Sequence, residues 1–441
     1  MISNLRYNTV NEVVDACYRH LESNLMEGTR WGLNYQFYKP AQTKYGASQW
    51  LWDSGWHQLV WSHRNVENSI NDLRTLLQFQ QANGFIPEMI YWGVKSKLGI
   101  LKDKLWGYSK KVLKDTKSGK RYKGVFWTDI SQMPMLAYSL RAIWDATQDR
   151  NLLTEFLPKL IKYQEWWANE RDPDNDGLIS IIHPWESGLD ASPIYDPALG
   201  FFSYPFNEIR YYSQFIKLLL LYKWRARWNI KKILRRGWFN VEDIGVCSVY
   251  ADAWGVLNKL AENLDNKLAK QCYQMNKYYS EMIIEKAWDE KKKQFVSFYH
   301  QKGVEKVSTP ETIQSLFPLL LDSLPKEIQE ILVEKIQDPH KFGLPYPVPT
   351  APKTNPAFNP LDSTLMWRGP SWGCTNWIIL EGLIKHNYFD LANNILDKWL
   401  EMYKKFGISE YHNPLTGEME GQEGLGMATT IVDILYKLKR I

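Results

Sequence analysis

Apolar residues recur at intervals of three and four along most of the chain, the spacing that places them on one face of an α-helix. The first such segment covers residues 10–25, where Val13, Val14, Cys17 and Leu21 share one stripe. Comparable patterns predict further helices over residues 49–61, 66–81, 132–146, 151–169, 208–228, 248–281, 312–322, 327–337, 375–385, 388–403 and 428–439. The chain is therefore expected to contain roughly a dozen helices.

Strand signals are few, and residues 293–300 are predicted as a short hairpin strand. Loops rich in aromatic residues, Gly and Pro join the helices, among them residues 83–88, 172–190, 342–360 and 406–426. No Pro/Gly/Ser-rich linker divides the chain, so we expect residues 1–441 to form a single domain. This pattern fits an all-α toroid of six inner and six outer helices, although periodicity alone equally allows an array of helical repeats.

The chain of 441 residues is 44% hydrophobic, enough for a large core, and contains 21 Trp, 25 Tyr and 17 Phe. Most of these rings are expected to fill the core of a large helical protein. Some Trp and Tyr side chains are also expected to line a groove, because flat apolar rings stack on the C–H faces of sugars.

The net charge of +5 is concentrated in residues 223–236, which hold seven basic residues and no acidic one. Trp224 and Trp228 are interleaved with these charges. The rest of the chain is close to neutral, which argues against a nucleic-acid partner. A solvated helix or loop is the simplest interpretation of the segment, and contact with an anionic substrate or an anionic lipid surface is the alternative.

Cys17, Cys247, Cys272 and Cys374 are isolated from one another, which is not the pattern of a disulfide scaffold or a zinc site. The N-terminal residues show no secretory h-region, and no stretch reaches 18 uninterrupted apolar residues, so no membrane span is expected. These features predict a cytoplasmic protein, and they leave its oligomeric state open.

Two acidic segments are candidates for catalysis. Glu186 and Asp190 lie four residues apart beside Trp185 and Gly188, and Glu410 begins a second cluster about 220 residues later. Cleavage of a glycosidic bond requires two separated carboxyl groups, one to protonate the leaving oxygen and one to activate water or attack the sugar.

Four motifs resemble glycoside hydrolase family 63 and its relatives, the family 37 trehalases. They are the W-x-W-D-S-G of residues 50–55, the W-E-S-G-x-D-x-S of residues 185–192, the W-R-G-P-x-W of residues 367–372 with Asn376 and Trp377, and the E-Y-H-N-P-L-T-G-E of residues 410–418. They occur in family order and span most of the chain. Leu189 and Met427 depart from the aromatic residues often found at these positions.

The resemblance implies an (α/α)6 barrel and an inverting mechanism, with Asp190 as the general acid and Glu410 as the general base. Glu186 is a candidate for the neighbouring carboxylate that would raise the pKa of Asp190. Glu418, Glu420 and Glu423 are nearby rivals of Glu410. The chain resembles most the compact members that hydrolyse small α-glucosides or α-mannosides, namely glucosylglycerate or mannosylglycerate.

The same motifs indicate which residues bind the sugar. Asp53 could accept hydrogen bonds from two hydroxyl groups, and Arg368 could donate a planar pair to a hydroxyl or a carboxylate. The glycerate carboxylate also needs a cationic partner, for which the basic segment around Arg225 is a candidate. The predicted substrate-binding residues are Trp50, Trp52, Asp53, Gln132, Trp185, Glu186, Trp367, Arg368, Gly369, Trp372 and Tyr411.

Asp172, Asp174 and Asp176 precede Gly177 and begin like a calcium loop, but His183 stands where an EF-hand has its glutamate. An acidic turn is the preferred interpretation, and calcium stays open. No nucleotide-binding glycine motif or histidine metal motif is present, so no metal and no cofactor are expected in the reaction.

Two other functions stay open at this point. A trehalase or an oligosaccharide α-glucosidase would use the same two carboxyl groups. A non-catalytic sugar-binding toroid, which belongs to another class of protein, would tolerate the loss of both.

Overall fold

The computed structural model describes residues 5–43, 45–94, 110–114, 119–361 and 363–441. In chain order its α-helices are α1 Val10–Ser23, α2 Leu51–Trp61, α3 Val66–Leu77, α4 Leu136–Thr147, α5 Arg150–Arg171, α6 Asp196–Leu199, α7 Glu208–Leu221, α8 Ile230–Arg236, α9 Ile244–Ala261, α10 Asn266–Ala287, α11 Lys326–Gln337, α12 Gly373–Lys385, α13 Phe389–Phe406 and α14 Ile431–Lys437. Shorter helical segments are the 3-10 helices Pro184–Ser187, Pro193–Tyr195, Ile313–Leu320 and Gly426–Thr430, and the π-helix Tyr222–Ala226. None of the described helices is both long and apolar enough to cross a lipid bilayer.

The inner wall of the fold consists of helices in which half or more of the residues are buried: α2, α4, α9, Ile313–Leu320, α12 and Gly426–Thr430 with α14. Each contacts the next in chain order, and Gly426–Thr430 contacts α2, so the ring closes. This closure excludes the open repeat array.

The outer helices α1, α3, α5, α10, α11 and α13 alternate with the inner ones along the chain. Helix α1 shows their pattern: Val13, Val14, Cys17 and Leu21 are buried, as the apolar stripe predicts. Its N-terminus is capped by the side chain of Thr9, which accepts the N–H of Glu12. The prediction of an all-α (α/α)6 barrel is confirmed.

Some predicted boundaries are wrong. Residues 248–281 form two helices, α9 and α10, because the chain turns at residues 262–265 and Asp265 caps α10 by accepting the N–H groups of Lys267 and Leu268. Residues 312–322 contain a 3-10 helix that includes Pro318, which has no N–H to continue an α-helix. Helix α7 ends at Leu221, and a π-helix follows it within the predicted segment 208–228.

The described residues also contain more strands than predicted. They are β1 Leu25–Arg30, β2 Leu33–Tyr38, β3 Ser48–Trp50, β4 Met89–Tyr91, β5 Lys110–Lys114, β6 Arg121–Phe126, β7 Ser180–Ile181, β8 Val241–Glu242, β9 Trp288–Asp289, β10 Gln294–Phe295, β11 Ser297–Gln301, β12 Val304–Ser308, β13 Ser409–His412 and β14 Met419–Glu423. All pair antiparallel; β12-β11-β8-β7 form one sheet and the others form two-stranded ribbons. The predicted strand at residues 293–300 falls on β10 and β11.

The segments that carry three of the four motifs lie at the N-terminal ends of inner helices, and so does the segment at Gln132. Strand β3 leads into α2, the segment at Gln132 precedes α4, Trp372 immediately precedes α12, and β13 and β14 precede Gly426–Thr430. Most of the candidate catalytic and binding residues therefore lie at this end of the barrel. The N-termini of the inner helices give this end a partial positive charge.

Candidate active site

A cavity of about 270 Å³ opens among these N-terminal ends. Both predicted catalytic carboxyl groups, Asp190 and Glu410, line it together with seven of the predicted substrate-binding residues. The described lining residues are Pro40, Tyr45, Trp50, Trp52, Asp53, Glu88, Gln132, Trp185, Gly188, Asp190, Met366, Trp367, Trp372, Glu410 and Met427. The cavity is thus walled by indole rings and edged by four carboxyl groups.

Asp190 follows the 3-10 helix Pro184–Ser187 and the turn at Gly188. Gly188 has φ +75°, and a Cβ atom there would lie 2.9 Å from the Trp52 ring, so both the backbone and the packing require glycine. Burial raises the pKa of Asp190 from 3.8 to about 7. A carboxyl group with such a pKa still holds its proton near neutral pH, as a general acid must.

Glu410 lies on β13, where the pairing with β14 is irregular between Ser409 and Tyr411. Its Oε2 accepts the backbone N–H of Gln422 at 2.9 Å, and its Oε1 accepts the hydroxyl of Tyr45 at 3.4 Å. A Cβ atom on Gly421, which has φ +70°, would lie 2.8 Å from Oε2. Strand β14 therefore fixes the orientation of this carboxylate.

Asp53 lies in the first turn of α2 and is buried. Its pKa rises to about 8, mainly because of burial and further because of the charges of Glu410 and Asp190. Its Oδ1 has no hydrogen-bond donor among the described residues. The indole N–H groups of Trp50 and Trp52 are also buried without a partner in this part of the chain.

Gln132 links two of the converging helices. Its side-chain oxygen accepts the backbone N–H of Trp52 at 3.0 Å, which satisfies one of the free donors at the start of α2. Its backbone oxygen accepts the hydroxyl of Tyr163 on α5 at 2.7 Å. Gln132 therefore holds the segment before α4 against α2 and lines the cavity.

Stacked rings form one wall of the cavity. The centroids of the Trp367 and Trp372 rings are 3.8 Å apart at an interplanar angle of 14°. The ring of Tyr411 stacks on that of Trp372, with the two centroids 4.9 Å apart. Trp367 and Trp372 line the cavity, whereas Tyr411 is not among its described lining residues and supports Trp372 from behind.

Glu186 was predicted to bind substrate, but the structure places it in the protein interior. Its side chain is fully buried and forms an ion pair of 2.7 Å with Arg171, which is fully buried as well. It also accepts the N–H groups of Ser131 and Ile182. Glu186 therefore ties the segment at Ser131 to the loop of Asp190, and burial rather than Glu186 raises the pKa of that acid.

Arg368 is likewise directed away from the cavity. Its guanidinium donates two hydrogen bonds, of 2.8 and 2.6 Å, to Asp196, and the rings of Tyr204, Phe206 and Tyr211 surround it. The neighbouring Gly369 has φ +143°, and a Cβ atom there would lie 3.1 Å from atoms of Phe358 and Pro360. Both residues shape the loop that carries Trp367, and neither is among the described lining residues.

The rivals of Glu410 and the basic segment lie elsewhere. Glu418 and Glu423 are exposed and Glu420 is half-buried, and Glu423 pairs with Arg6. Residues 223–236 form parts of the π-helix and α8, where Trp224 is 71% exposed. None of these residues is among the described lining of the cavity, so the suggested contact of the basic segment with a glycerate carboxylate has no support.

The acidic loop of Asp172, Asp174 and Asp176 is also separate from the cavity lining. Carboxylate oxygens of the three residues lie within 4.8 Å of one another, as do ligand atoms of Asp174, Glu242 and His300. Burial raises the pKa of Asp172 to about 6. Lys286 donates hydrogen bonds to the carbonyl oxygen and the carboxylate of Asp176, so a protein cation already lies beside the loop.

Sequence reasoning missed two polar residues of the cavity, Glu88 and Tyr45. Glu88 belongs to a loop rich in Gly, Pro and aromatic residues, and its signal is one acidic residue between apolar neighbours. Tyr45 carries no local signal, because its position at the cavity depends on the ribbon of β3 and β4.

Comparisons with known proteins show the family of the chain. A family model described as the mannosylglycerate hydrolase MGH1-like glycoside hydrolase domain matches residues 46–426. Mannosylglycerate hydrolase of Thermus thermophilus is 26% identical over 409 residues, which cover 87% of this chain and 92% of the relative. Glucosylglycerate hydrolase of Mycolicibacterium hassiacum is 24% identical over 402 residues, with 84% and 88% covered.

Solved structures support the fold. The crystal structure of family 63 mannosylglycerate hydrolase from Thermus thermophilus in complex with glucose superimposes with a TM-score of 0.77 at 24% identity, covering 97% of this chain and 100% of the other. Neutral trehalase from Saccharomyces cerevisiae is more distant, with a TM-score of 0.56, 15% identity, and coverage of 96% of this chain and 79% of the other.

Proposed function

Because the chain belongs to the mannosylglycerate hydrolase MGH1-like family of glycoside hydrolases, we propose that it hydrolyses mannosylglycerate or glucosylglycerate to the free sugar and glycerate. It is a glycoside hydrolase of the inverting type. One observation carries the assignment of roles: Asp190 and Glu410, which are 220 residues apart in sequence, line one cavity walled by Trp residues. Trehalase activity, the other enzymatic candidate, has only a distant structural match in its support.

Asp190 acts as the general acid and protonates the oxygen between the sugar and glycerate as that bond breaks. Its raised pKa of about 7 supports this role, because most molecules carry the proton at slightly acid pH and about half of them still carry it at neutral pH. The turn at Gly188, held against Trp52, fixes where that proton is delivered.

Glu410 acts as the general base and takes a proton from the water that attacks the anomeric carbon. The hydrogen bonds from Gln422 and Tyr45 orient its carboxylate for this step. The bond to glycerate breaks as the bond to water forms, so the sugar leaves with inverted configuration and glycerate leaves with the proton of Asp190.

The charge state of the cavity suits an anionic substrate. Burial raises the pKa values of Asp53 and Asp190 to about 8 and about 7, and it raises that of Glu88 well above its ordinary value. These raised pKa values favour the neutral forms of the three groups and so reduce their repulsion of the glycerate carboxylate. The Trp walls supply apolar surface for the sugar ring.

The test is sugar release from mannosylglycerate, glucosylglycerate, trehalose, kojibiose and nigerose, with the released anomer followed by NMR. We expect the β-anomer from one or both glycerate conjugates and slower or no release from the disaccharides. Hydrolysis of trehalose alone would overturn the proposed substrate, and no release from any of the five would overturn the proposed activity on small α-glycosides.

We further infer that residues 1–441 form one catalytic domain, because α1 packs against α13 and Gly426–Thr430 and so joins the two ends of the ring. A single calorimetric transition would support this inference, and two separable transitions would contradict it. The four free, buried cysteines support a cytoplasmic location, which fractionation of the source cells tests.

The reaction as proposed uses no metal. The acidic loop shares no residue with the described lining of the cavity, and the ammonium group of Lys286 serves it as a cation. The carboxylates would suit calcium, whereas His300 is not a ligand that calcium prefers.

A further inference from the structure

Glu88 is a buried acidic residue in an otherwise apolar stretch of the cavity wall. Its side chain is fully buried and lies between Phe85, Ile86 and Pro87 on one side and Met89 and Ile90 on the other in sequence. All five of these neighbours are apolar and mostly buried. An acidic residue in such a position is unusual unless a partner satisfies it.

The main chain holds Glu88 rigidly at the edge of the cavity. Its N–H donates to the carbonyl oxygen of Ile130 at 2.8 Å, and its carbonyl oxygen accepts the N–H of Leu51 at 2.8 Å. Leu51 is the first residue of α2, which presents Trp52 and Asp53 to the same cavity. The position of Glu88 relative to these side chains is therefore fixed by backbone hydrogen bonds.

The carboxyl group itself has no such partner. Neither oxygen has a hydrogen bond of normal geometry within the part of the chain that the structure describes, although the Thr128 hydroxyl is close enough to lower the pKa of Glu88. The same absence of a hydrogen bond holds for Asp53 Oδ1 and for the indole N–H groups of Trp50 and Trp52. A buried polar group left unpaired is unfavourable, so four such residues around one cavity indicate a site shaped for a polar ligand.

The charge of Glu88 is set by its surroundings. Burial raises its pKa well above the ordinary value, and the negative charges of Asp190 and Glu186 raise it further. The guanidinium of Arg171 is paired with Glu186 and surrounded by the rings of Trp166 and Trp167. These surroundings favour the neutral carboxylic acid, which has one O–H donor and acceptor oxygens.

We propose that Glu88 is a sugar-binding residue that helps to determine specificity, by donating a hydrogen bond to one hydroxyl of the glycosyl ring and accepting one from it. A sugar hydroxyl is itself both donor and acceptor, so it matches a neutral carboxylic acid better than it matches a carboxylate. The proposal rests on the proposed function only in taking a glycosyl group as the occupant of the cavity. It assigns Glu88 no proton transfer in the reaction.

The test separates hydrogen bonding from charge and from packing. Glu88→Gln keeps the size and supplies a donor and an acceptor without any charge, whereas Glu88→Met keeps a similar volume without hydrogen bonds. Binding of free D-mannose and D-glucose is followed by the fluorescence of the cavity Trp residues in wild type and both variants. Thermal unfolding of each unliganded protein is measured in parallel.

We expect Glu88→Gln to bind the preferred sugar within about threefold of wild type, and Glu88→Met to bind it at least about tenfold more weakly, the change that loss of one such hydrogen bond gives. We also expect Glu88→Met to unfold at a higher temperature than wild type, since it removes an unpaired buried polar group. A deoxy sugar that lacks the contacted hydroxyl should bind wild type and Glu88→Met equally.

Equal affinity of wild type and Glu88→Met for both sugars would overturn the proposal. So would a Glu88→Gln variant as weak as Glu88→Met, because that result would require a charged carboxylate. Free sugars need no hydrolysis, so a protein that binds them through Glu88 but cleaves no glycosylglycerate would contradict the proposed function and leave this inference intact.

Discussion

Glu186 and Arg171 form an ion pair of 2.7 Å in which both side chains are fully buried. Glu186 lies only four residues before Asp190 in the chain, inside the motif that suggested a sugar contact. The pair instead anchors the loop of Asp190 to α5, the outer helix that carries Arg171. A motif can thus match a family by sequence while one of its residues supports the fold.

Glu186→Gln should therefore act on stability first. It leaves the charge of Arg171 buried without a counter-ion, which costs about 3–5 kcal/mol of unfolding free energy. Urea unfolding measures this loss, and Glu423→Gln is the control, because its ion pair with Arg6 is exposed and contributes less than about 1 kcal/mol. A Glu186→Gln variant that is as stable as the control but has a raised KM would instead show a sugar contact.

Gly188→Ala should damage both stability and activity. The added Cβ meets the Trp52 ring at 2.9 Å, so the loop of Asp190 or the indole must shift. Gly303→Ala is the matched control: Gly303 has φ +77°, but a Cβ there meets nothing within 4 Å. Both variants should lose about 1–2 kcal/mol through backbone strain, and only Gly188→Ala should lose at least about tenfold in kcat/KM. Equal kcat/KM in the two variants would contradict the contact.

The value of kcat/KM should fall as the pH rises through about 7, the pKa of Asp190. Asp190 works in its protonated form, and burial raises its pKa to about 7, so the active fraction decreases above that value. The profile of kcat/KM against pH, taken with the glycerate conjugate that the enzyme cleaves, should show this limb. A rate that stays constant or rises between about pH 6 and about pH 9 would contradict a buried protonated Asp190.

The acidic loop should respond to Lys286 rather than to calcium. Dialysis against EDTA should leave the activity and the unfolding temperature of the wild type unchanged. Lys286→Met should unfold at a lower temperature, because Asp176 loses the ammonium group that pairs with it, and added calcium should reverse part of that loss. An increase in the unfolding temperature of the wild type on adding calcium would show a metal site.

The sequence correctly predicts that most of the helices exist, but it predicts fewer of the residues at which they begin and end. The stripe of α1 and the nearly continuous apolar run of α2 are local patterns, so both helices could be found without a structure. The division between α9 and α10 at Asp265 and the 3-10 helix around Pro318 depend on capping and on a missing N–H within apolar segments. Periodicity does not detect these features.

The residues of the site also divide into those that local sequence patterns reveal and those that they do not. The sequence motifs identify four residues of the site: Trp50, Asp53, Asp190 and Glu410. The true partners of Glu186 and Arg368 are Arg171 and Asp196, and the latter lies 172 positions away from Arg368. No local pattern reveals such pairs. Glu88 is found only once its main-chain hydrogen bonds to Leu51 and Ile130 are known.

The central claim is that Asp190 supplies the proton to the leaving group and that Glu410 activates water. The α-glycosyl fluoride of the cleaved sugar tests it most directly, since fluoride leaves without protonation. Asp190→Asn should lose about 10²–10⁴-fold in kcat on the glycosylglycerate and hydrolyse the fluoride at close to the wild-type rate. Glu410→Gln should lose activity on both substrates. An Asp190→Asn variant equally impaired on both, or a Glu410→Gln variant active on the glycosylglycerate, would contradict the account.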